Sequence, residues 1–401
     1  MKLALLSFFL ISISVSGQHA TEQNTFSNHI FNSLSEALLH PDSVYELNLT
    51  HQHLQEFPKE IFSFHNLQTL DLSNNYLYHL PKKLNRLKKL KTLILEGNLF
   101  SEYSFRIRRC STLEKLNLDK NSIHHAANAL RRFRNVKELT LRNNCLHEFP
   151  EIVCRFNKLE VLNLSFNEIV IIPHTICKLQ SLKKIVLAKN NIANDPEQLY
   201  SLIHLTSLNL ASNRIPKISD GIKNLTNLNT LILYGNNLEE LTPGIFRLTN
   251  LEELDVYYNR IKSLPPDLGK LAKLKRLYLA FNQLSELPEE LGGLQDLQWL
   301  YLQNNKLIRI PGSFSRLTAM QKLHLYHNSL YTFPEQILNM KNLDELLISE
   351  NLIKSFPENI TLLENLQILD IRKNAFDPHY PDTETKALID SLSKRKMIFN
   401  Y

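Results

Sequence analysis

Leu67-Gln68-Thr69-Leu70-Asp71-Leu72-Ser73-Asn74-Asn75-Tyr76-Leu77 decides the fold, because its spacing of Leu, Leu, Leu, Asn and Leu returns every 23 residues. With each unit numbered from its first apolar residue, positions 1, 4, 6 and 11 are apolar and position 9 is Asn. Position 9 falls on Asn75, Asn98, Asn121, Asn144 and so on through Asn351 and Asn374 without a miss. Gln52 holds the same slot one period earlier, in the unit that begins at Val44. The chain therefore carries fifteen units in tandem, with no insertion or deletion. Self-similarity at such a period marks an architecture of stacked repeats.

Side chains alternate along an extended backbone, so positions 4 and 6 share one side of a short strand while 3, 5 and 7 share the other. Leu70 and Leu72 point inward; Thr69, Asp71 and Ser73 point outward. Beyond the strand the chain must turn, and an unpaired buried backbone group there costs roughly 1 to 3 kcal/mol. An inward Asn, with two donors and a carbonyl, can satisfy these groups and bridge one unit to the next. The return half reads Leu80-Pro81-x-x-Leu84-x-x-Leu87, and ten units have Pro at position 15. Proline fixes φ and donates no hydrogen bond, so this arm is extended or tightly turned, with a short helical piece at most. One unit cannot bury enough to fold alone, and stacking makes a quasi-one-dimensional solenoid with capped ends.

Over residues 44–376 this pattern resembles the leucine-rich repeat superfamily, in particular the 23-residue type with Leu-Pro in its return arm, shared by Ras-group-related repeat proteins and exported bacterial repeat proteins. The resemblance implies an α/β solenoid. This is a curved horseshoe of about fifteen 23-residue repeats with a parallel sheet on its concave face, a helical N-terminal cap and a helix-strand C-terminal cap. It implies a non-enzymatic binding protein and leaves the ligand open, because the matching residues form the core.

Residues 1–17 read as a signal peptide: Lys2, the apolar run Leu3 to Val15, then Val15-x-Gly17 before Gln18. A retained amino-terminal anchor is the rival reading. Residues 18–43 form the amino-terminal segment and cap, with a helix expected over 30–40 on Ile30, Leu34 and Leu38 and ended by Pro41-Asp42. Residues 377–401 form the other cap. A turn at Asp377-Pro378 to Pro381 leads to a helix capped by Asp382 or Thr383 through Leu392, and Met397-Ile398-Phe399 makes a closing strand. Tyr103-Ser104 and Ala126-Ala127 replace Leu-Pro in units three and four, so those arms are expected to be more helical or differently tilted. Asp195 replaces an apolar residue before Pro196, which is expected to loosen the solenoid locally.

Four cysteines, Cys110, Cys145, Cys154 and Cys177, lie away from both caps. Extracellular animal members of the superfamily carry Cys clusters there, so the departure favours a bacterial exported protein. Cys154 and Cys177 share position 19 of adjacent units, about 5 Å apart, within disulfide reach. Two reduced thiols are the other reading.

Positions 3, 5, 7 and 8 face outward, and in units nine to thirteen they gather aromatics: Tyr234, Tyr257, Tyr258, Tyr278, Phe281, Trp299, Tyr301 and Tyr326, with His324 and His327 beside them. Earlier units show mostly Asn, Ser, Thr, Lys and Glu there, Phe166 excepted. Tyr and Trp combine apolar faces with a polar handle and are enriched at binding hot spots. The same ladder can also serve the sheet by pairing across strands. As a binding surface it would dock a protein segment or a glycan.

On the convex side, position 20 is Arg86, Arg109, Arg132, Arg155 and Lys178 in successive units, with Arg108 and Arg131 adjoining. Such a stripe can attract a glycan or an anionic surface, or can be simply solvated. Net charge is +6, and nucleic acid is not expected as a partner.

The chain has no G-x-S-x-G, H-E-x-x-H, phosphate-binding glycine loop or C-x-x-C, so no enzyme chemistry, cofactor or metal is expected. His324 and His327, near Asp370 or Asp255, read as exposed interface residues rather than metal ligands. Asp255 and Glu253 lack any feature that would raise one carboxyl pKa, as a glycosidase pair requires. The expectation is a secreted or envelope-located protein with a protein partner and no transmembrane segment. The alternative is an envelope or adhesion component that binds polysaccharide or anionic lipid.

Overall fold

The computed structural model describes residues 30–105, 107, 110–125, 130–376 and 381–401. The signal-peptide reading, Arg108, Arg109, Ala126-Ala127 and the turn at 377–380 lie outside the described residues.

Each unit contributes one three-residue strand, from β2 (Glu46–Asn48) and β3 (Thr69–Asp71) through β16 (Ile368–Asp370). Each pairs in parallel with the next at a register of one 23-residue period, as in Leu70 against Leu93. Together with β1 (Ile30–Phe31) and β17 (Ile398–Asn400) they make a seventeen-stranded sheet among the described residues. Leu67, Leu70, Leu72, Leu77, Leu80, Leu84 and Leu87 of unit two are all buried, and the same positions are buried unit after unit.

The asparagines bridge neighbouring units. The Asn75 carbonyl accepts from the Leu54 amide of the preceding unit at 3.0 Å. Its amide donates to the carbonyls of Leu49, Leu72 and Ser73 at 2.9, 2.9 and 3.1 Å. The pattern continues through Asn374, which satisfies the turn that would otherwise bury bare backbone groups. A second, partial set that the periodicity does not announce stands before position 1: Asn66, Asn135, Asn227, Asn250, Asn342 and Asn365 each donate to a carbonyl of the unit before.

The return arms contain short 3-10 turns that start after the position-15 proline, as in Lys59–Ser63 after Pro58 and Glu289–Gly293 after Pro288. Among the described residues the arm of unit three shows no added helix, and that of unit four is described only from Leu130. Unit three has no 3-10 turn among the described residues, and unit four has the three-residue turn Leu130–Arg132. In unit three Ser101 and Ser104 make the turn instead, the Ser101 amide donating to Ser104 Oγ at 2.8 Å.

The solenoid is not loose at Asp195. The Tyr200 hydroxyl, buried in the core, donates to one carboxylate oxygen, and the Ser219 amide of the next unit donates to the other at 2.8 Å. The residue that breaks the apolar pattern is a clamp between two units.

The caps follow the need to cover the end units. At the amino end Ile30–Phe31 is a strand paired with β2, and the helix is only α1 (Leu34–Leu39), capped by Ser33. Ala37 is its buried residue, and Leu38 faces outward, so the expected helix over 30–40 is shorter and differently turned. Strand pairing satisfies the open edge of the sheet more directly than a helix could. At the carboxyl end Asp382 caps α2 (Thr383–Leu392), and the buried Thr385 Oγ1 accepts from the Phe356 amide at 2.9 Å while donating to Asp382 at 2.7 Å. β17 then covers β16. No helix among the described residues is long and apolar enough to cross a membrane.

Candidate concave binding surface

Strand positions 3 and 5 project from the concave sheet, and the turn that follows sets the direction of 7 and 8. Position 8 has a positive φ in all fifteen units, between 52° and 66°, from His51 through Tyr258, Phe281 and His327 to Lys373. Only Gly97 and Gly235 adopt this left-handed backbone freely; for any other residue it costs about 1 kcal/mol or more. The repeat bears that cost at the thirteen positions that are not glycine, and Tyr258 and Phe281, at two of them, join the ring of Tyr257.

The aromatics form two contiguous groups. In the first, Tyr234 and Tyr257 have ring centroids 5.3 Å apart, Tyr257 and Phe281 5.0 Å, and Tyr258 and Phe281 5.9 Å. In the second, Tyr278 meets Tyr301 edge-on at 5.1 Å, and Tyr301 stacks on His324 at 4.1 Å with planes 6° apart. Tyr326 closes it 6.3 Å from His324. Register explains the second group: Asp255, Tyr278, Tyr301 and His324 are direct neighbours on β11 (Glu253–Asp255), β12 (Arg276–Tyr278), β13 (Trp299–Tyr301) and β14 (Lys322–His324). Tyr258 is 59% exposed and most of the other rings are half-buried, so the wall is ordered yet reachable.

Position 3 carries alternating charge around the single Trp. Glu253, Arg276, Trp299, Lys322 and Glu345 lie in sequence across five strands. Arg276 binds Glu253 at 2.9 Å and Lys322 binds Glu345 at 2.9 Å. Both cations also lie over the indole, at 5.7 and 5.8 Å from its centroid. Trp299 is thus held half-buried between two cations.

Of the two histidines, His324 departs from its expected exposure and His327 does not. His324 is not an exposed interface residue: it is 6% exposed, covered by Tyr301, and its Nε2 lies 3.0 Å from Glu345. That bond, and behind it the one from Lys322, holds the Glu345 carboxyl down at about 2. His327 is exposed and faces Glu350 at 3.0 Å. Neither pairs with Asp370, which Arg372 holds through two bonds of 3.0 and 2.7 Å, or with Asp255. The described residues contain no cluster of metal-ligating side chains.

Asp255 also departs from expectation, because its surroundings do raise its pKa. Burial beneath the tyrosines pushes the carboxyl up to about 7, against a single bond from the Tyr257 amide, with Glu253 adding repulsion. Part of the side chain still faces solvent. Burial likewise raises the hydroxyl of Tyr301 to about 12 and pushes Tyr257 and Tyr278 higher, so these rings are neutral hydrogen-bonding surfaces. Sequence reasoning missed Asp255 because its unusual feature is what surrounds it. It also missed the clasp of Phe166 between Arg142 and Lys189, at 4.7 and 4.5 Å from the ring centroid, which the charges at positions 7 and 8 could have signalled.

On the convex side Arg86, Arg132, Arg155 and Lys178 are all exposed, and none of them enters an ion pair among the described residues. Cys154 and Cys177 are free thiols, the first buried and the second exposed; burial raises the Cys154 pKa.

Known proteins place this architecture. The family description "Leucine-rich repeat region" matches residues 262–399, and "Leucine rich repeat" matches 42–100, 134–192 and 226–284. A leucine-rich repeat protein of Leptospira interrogans is 29% identical, with a TM-score of 0.84 over 93% of this chain and 99% of its own. An internalin of Listeria monocytogenes shares the fold at 22% identity and a TM-score of 0.67, over 75% of this chain and 85% of its own. The Arabidopsis receptor kinase HAESA, solved with the peptide hormone IDA and the co-receptor SERK1, is 28% identical, with a TM-score of 0.62 over 83% of this chain and 66% of its own. No curated protein sequence matches. With its buried leucines, bridging asparagines and parallel sheet in a single 23-residue register, the chain belongs to the leucine-rich repeat superfamily.

Proposed function

We propose that this chain is an exported, non-enzymatic bacterial protein whose concave face, across units nine to thirteen, binds a segment of a partner protein. The supporting observation is the wall of Tyr234, Tyr257, Tyr278, Trp299, Tyr301 and Tyr326: large, half-exposed rings fixed to a rigid sheet, which lose little freedom when a ligand covers them. Export rests on the amino-terminal apolar run, and the bacterial reading on cap regions without cysteine clusters and on similarity to the Leptospira protein. The complex of HAESA with the peptide hormone IDA supports the capacity of this fold to bind a peptide. The test is cross-linking capture from the native compartment with wild type and with Tyr278, Trp299 and Tyr301 changed to Ala. The variant should lose the captured partner with its unfolding curve nearly unchanged, and undiminished capture would rule the site out.

A second contact is favoured by one observation. Residues 82–158 hold eighteen Lys and Arg against seven Asp and Glu, so this sector is strongly positive in a chain of net charge only +6. Its exposed guanidinium groups suit polysaccharide or anionic lipid in the cell envelope. Binding to anionic vesicles that persists unchanged at high salt would refute an electrostatic contact.

A further inference from the structure

The concave face of units nine to fifteen presents five carboxylates, and four of them have a basic partner. Glu253 is bound by Arg276 at 2.9 Å, Glu345 by Lys322 at 2.9 Å, Glu350 by Lys373 at 2.7 Å and Asp370 by Arg372 at 2.7 Å. Asp255 alone has none among the described residues. It sits among tyrosines: Tyr234, Tyr257 and Tyr278 are all close enough for its charge to raise their pKa values.

The fold does not require this charge. In seven units an Asn or Asp at position 5 accepts from the amide of position 7 and closes the turn. Asn does so in four units, at 3.0 Å in Asn48, 2.8 Å in Asn117, 3.0 Å in Asn163 and 2.9 Å in Asn209. Asp255 makes the same bond at 2.9 Å and adds only a negative charge. Of the other two aspartates at this position, Asp370 uses its charge on Arg372, whereas Asp71 does what the neutral Asn48 and Asn163 do, accepting from the hydroxyl at position 7. At Asp255 the charge is left over, partly open to solvent and near Tyr234, Tyr257 and its register partner Tyr278.

An anionic group close to aromatic rings is complementary to a cation, which gains attraction from the carboxylate and from each ring it touches. We propose that Asp255, with Tyr234, Tyr257 and Tyr278, receives a basic side chain, lysine or arginine, that projects from the partner segment bound on the concave face. This rests on the reading of that face as a protein-binding surface and names the chemistry of one anchor. A sugar or a neutral aromatic side chain would not need the charge. Arg276, on the neighbouring strand two residues before Tyr278, the register partner of Asp255, is already held by Glu253.

The test uses the intact protein and two blocked amino acids of matched shape, Nα-acetyl-arginine methylamide and its neutral counterpart Nα-acetyl-citrulline methylamide. They are titrated at pH 8.5, where the carboxyl is ionised, and followed by saturation-transfer NMR. Wild type should bind the arginine probe about tenfold more tightly than the citrulline probe, and Asp255→Asn should lose that difference. Tyr257→Leu should weaken the arginine probe, whereas Glu96→Gln, in a distant unit, should leave it unchanged. Equal binding of the two probes to wild type, or full arginine binding by Asp255→Asn, overturns the proposal. Capture of the native partner separates the two readings. If Asp255→Asn captures it as wild type does while the Tyr278, Trp299 and Tyr301 variant does not, the cation pocket falls and the concave site stands. If both capture it, the concave site falls as well.

Discussion

Replacing Asp255 by Asn should make the protein more stable while it loses a contact. The carboxyl titrates near 3.8 when the chain is unfolded and is raised to about 7 by its setting, so between those values the native state holds the proton that the unfolded chain has released. Wild-type stability therefore falls as pH rises from about 4 to about 7 and is flat in this respect above that. A shift of about three units corresponds to at most about 4 kcal/mol. Because the mouth of the site is open to water, screening reduces this to about 1 to 2 kcal/mol. Asn keeps the bond to the Tyr257 amide, as its counterparts do at 48, 117, 163 and 209. Urea unfolding of both proteins from pH 4 to pH 8.5 measures the effect as a shift in midpoint at constant slope. The curves should nearly coincide at pH 4, diverge up to about pH 7 and run parallel beyond, with the Asn variant the more stable. A less stable Asn variant at pH 8 would mean that the carboxylate has a favourable partner in the free protein, and the argument from its isolation would fail.

Other substitutions test the frame. Asn259→Ala removes an acceptor for the Leu238 amide and donors to the carbonyls of Leu233, Val256 and Tyr257. It should cost about 2 to 4 kcal/mol by urea unfolding, since several buried groups are orphaned together. Tyr200→Phe strips one bond from the Asp195 clamp. A loss of about 1 to 3 kcal/mol in the same assay is expected, and no loss would mean that the Ser219 amide alone suffices to hold the carboxylate.

The sequence made the fold legible because its determinants are strictly periodic. Leu at 4 and 6, Asn at 9 and Pro at 15 recur at fixed spacing, and period alone assigns them to core, turn and return arm. The aromatic columns were legible for the same reason, since each strand sets its neighbour's register. What escaped depends on contacts that no period encodes. His324 looked exposed because its position faces outward, yet a ring from one unit and a carboxylate from the next cover it. Asp195 looked like a defect because its value lies in Tyr200 and Ser219, five and twenty-four residues away. Asp255 looked like half of an unperturbed carboxylate pair with Glu253 until its neighbours could be matched charge by charge. The left-handed turn was hidden because only two of the fifteen residues at position 8 are glycine.

That turn limits what the concave rim can become. The fifteen residues at position 8 include His, Asn, Gly, Lys, Phe, Ser, Tyr and Glu but no Val, Ile or Thr. A side chain branched at Cβ clashes with a left-handed backbone. The rim can therefore explore rings, amides and charges of either sign, while the three β-branched residues and proline, whose φ is fixed negative, stay closed to it. Diversification in this protein, by nature or by a designer's library, has a restricted alphabet at one column in twenty-three, and a library that respects it will waste fewer clones on misfolded scaffolds.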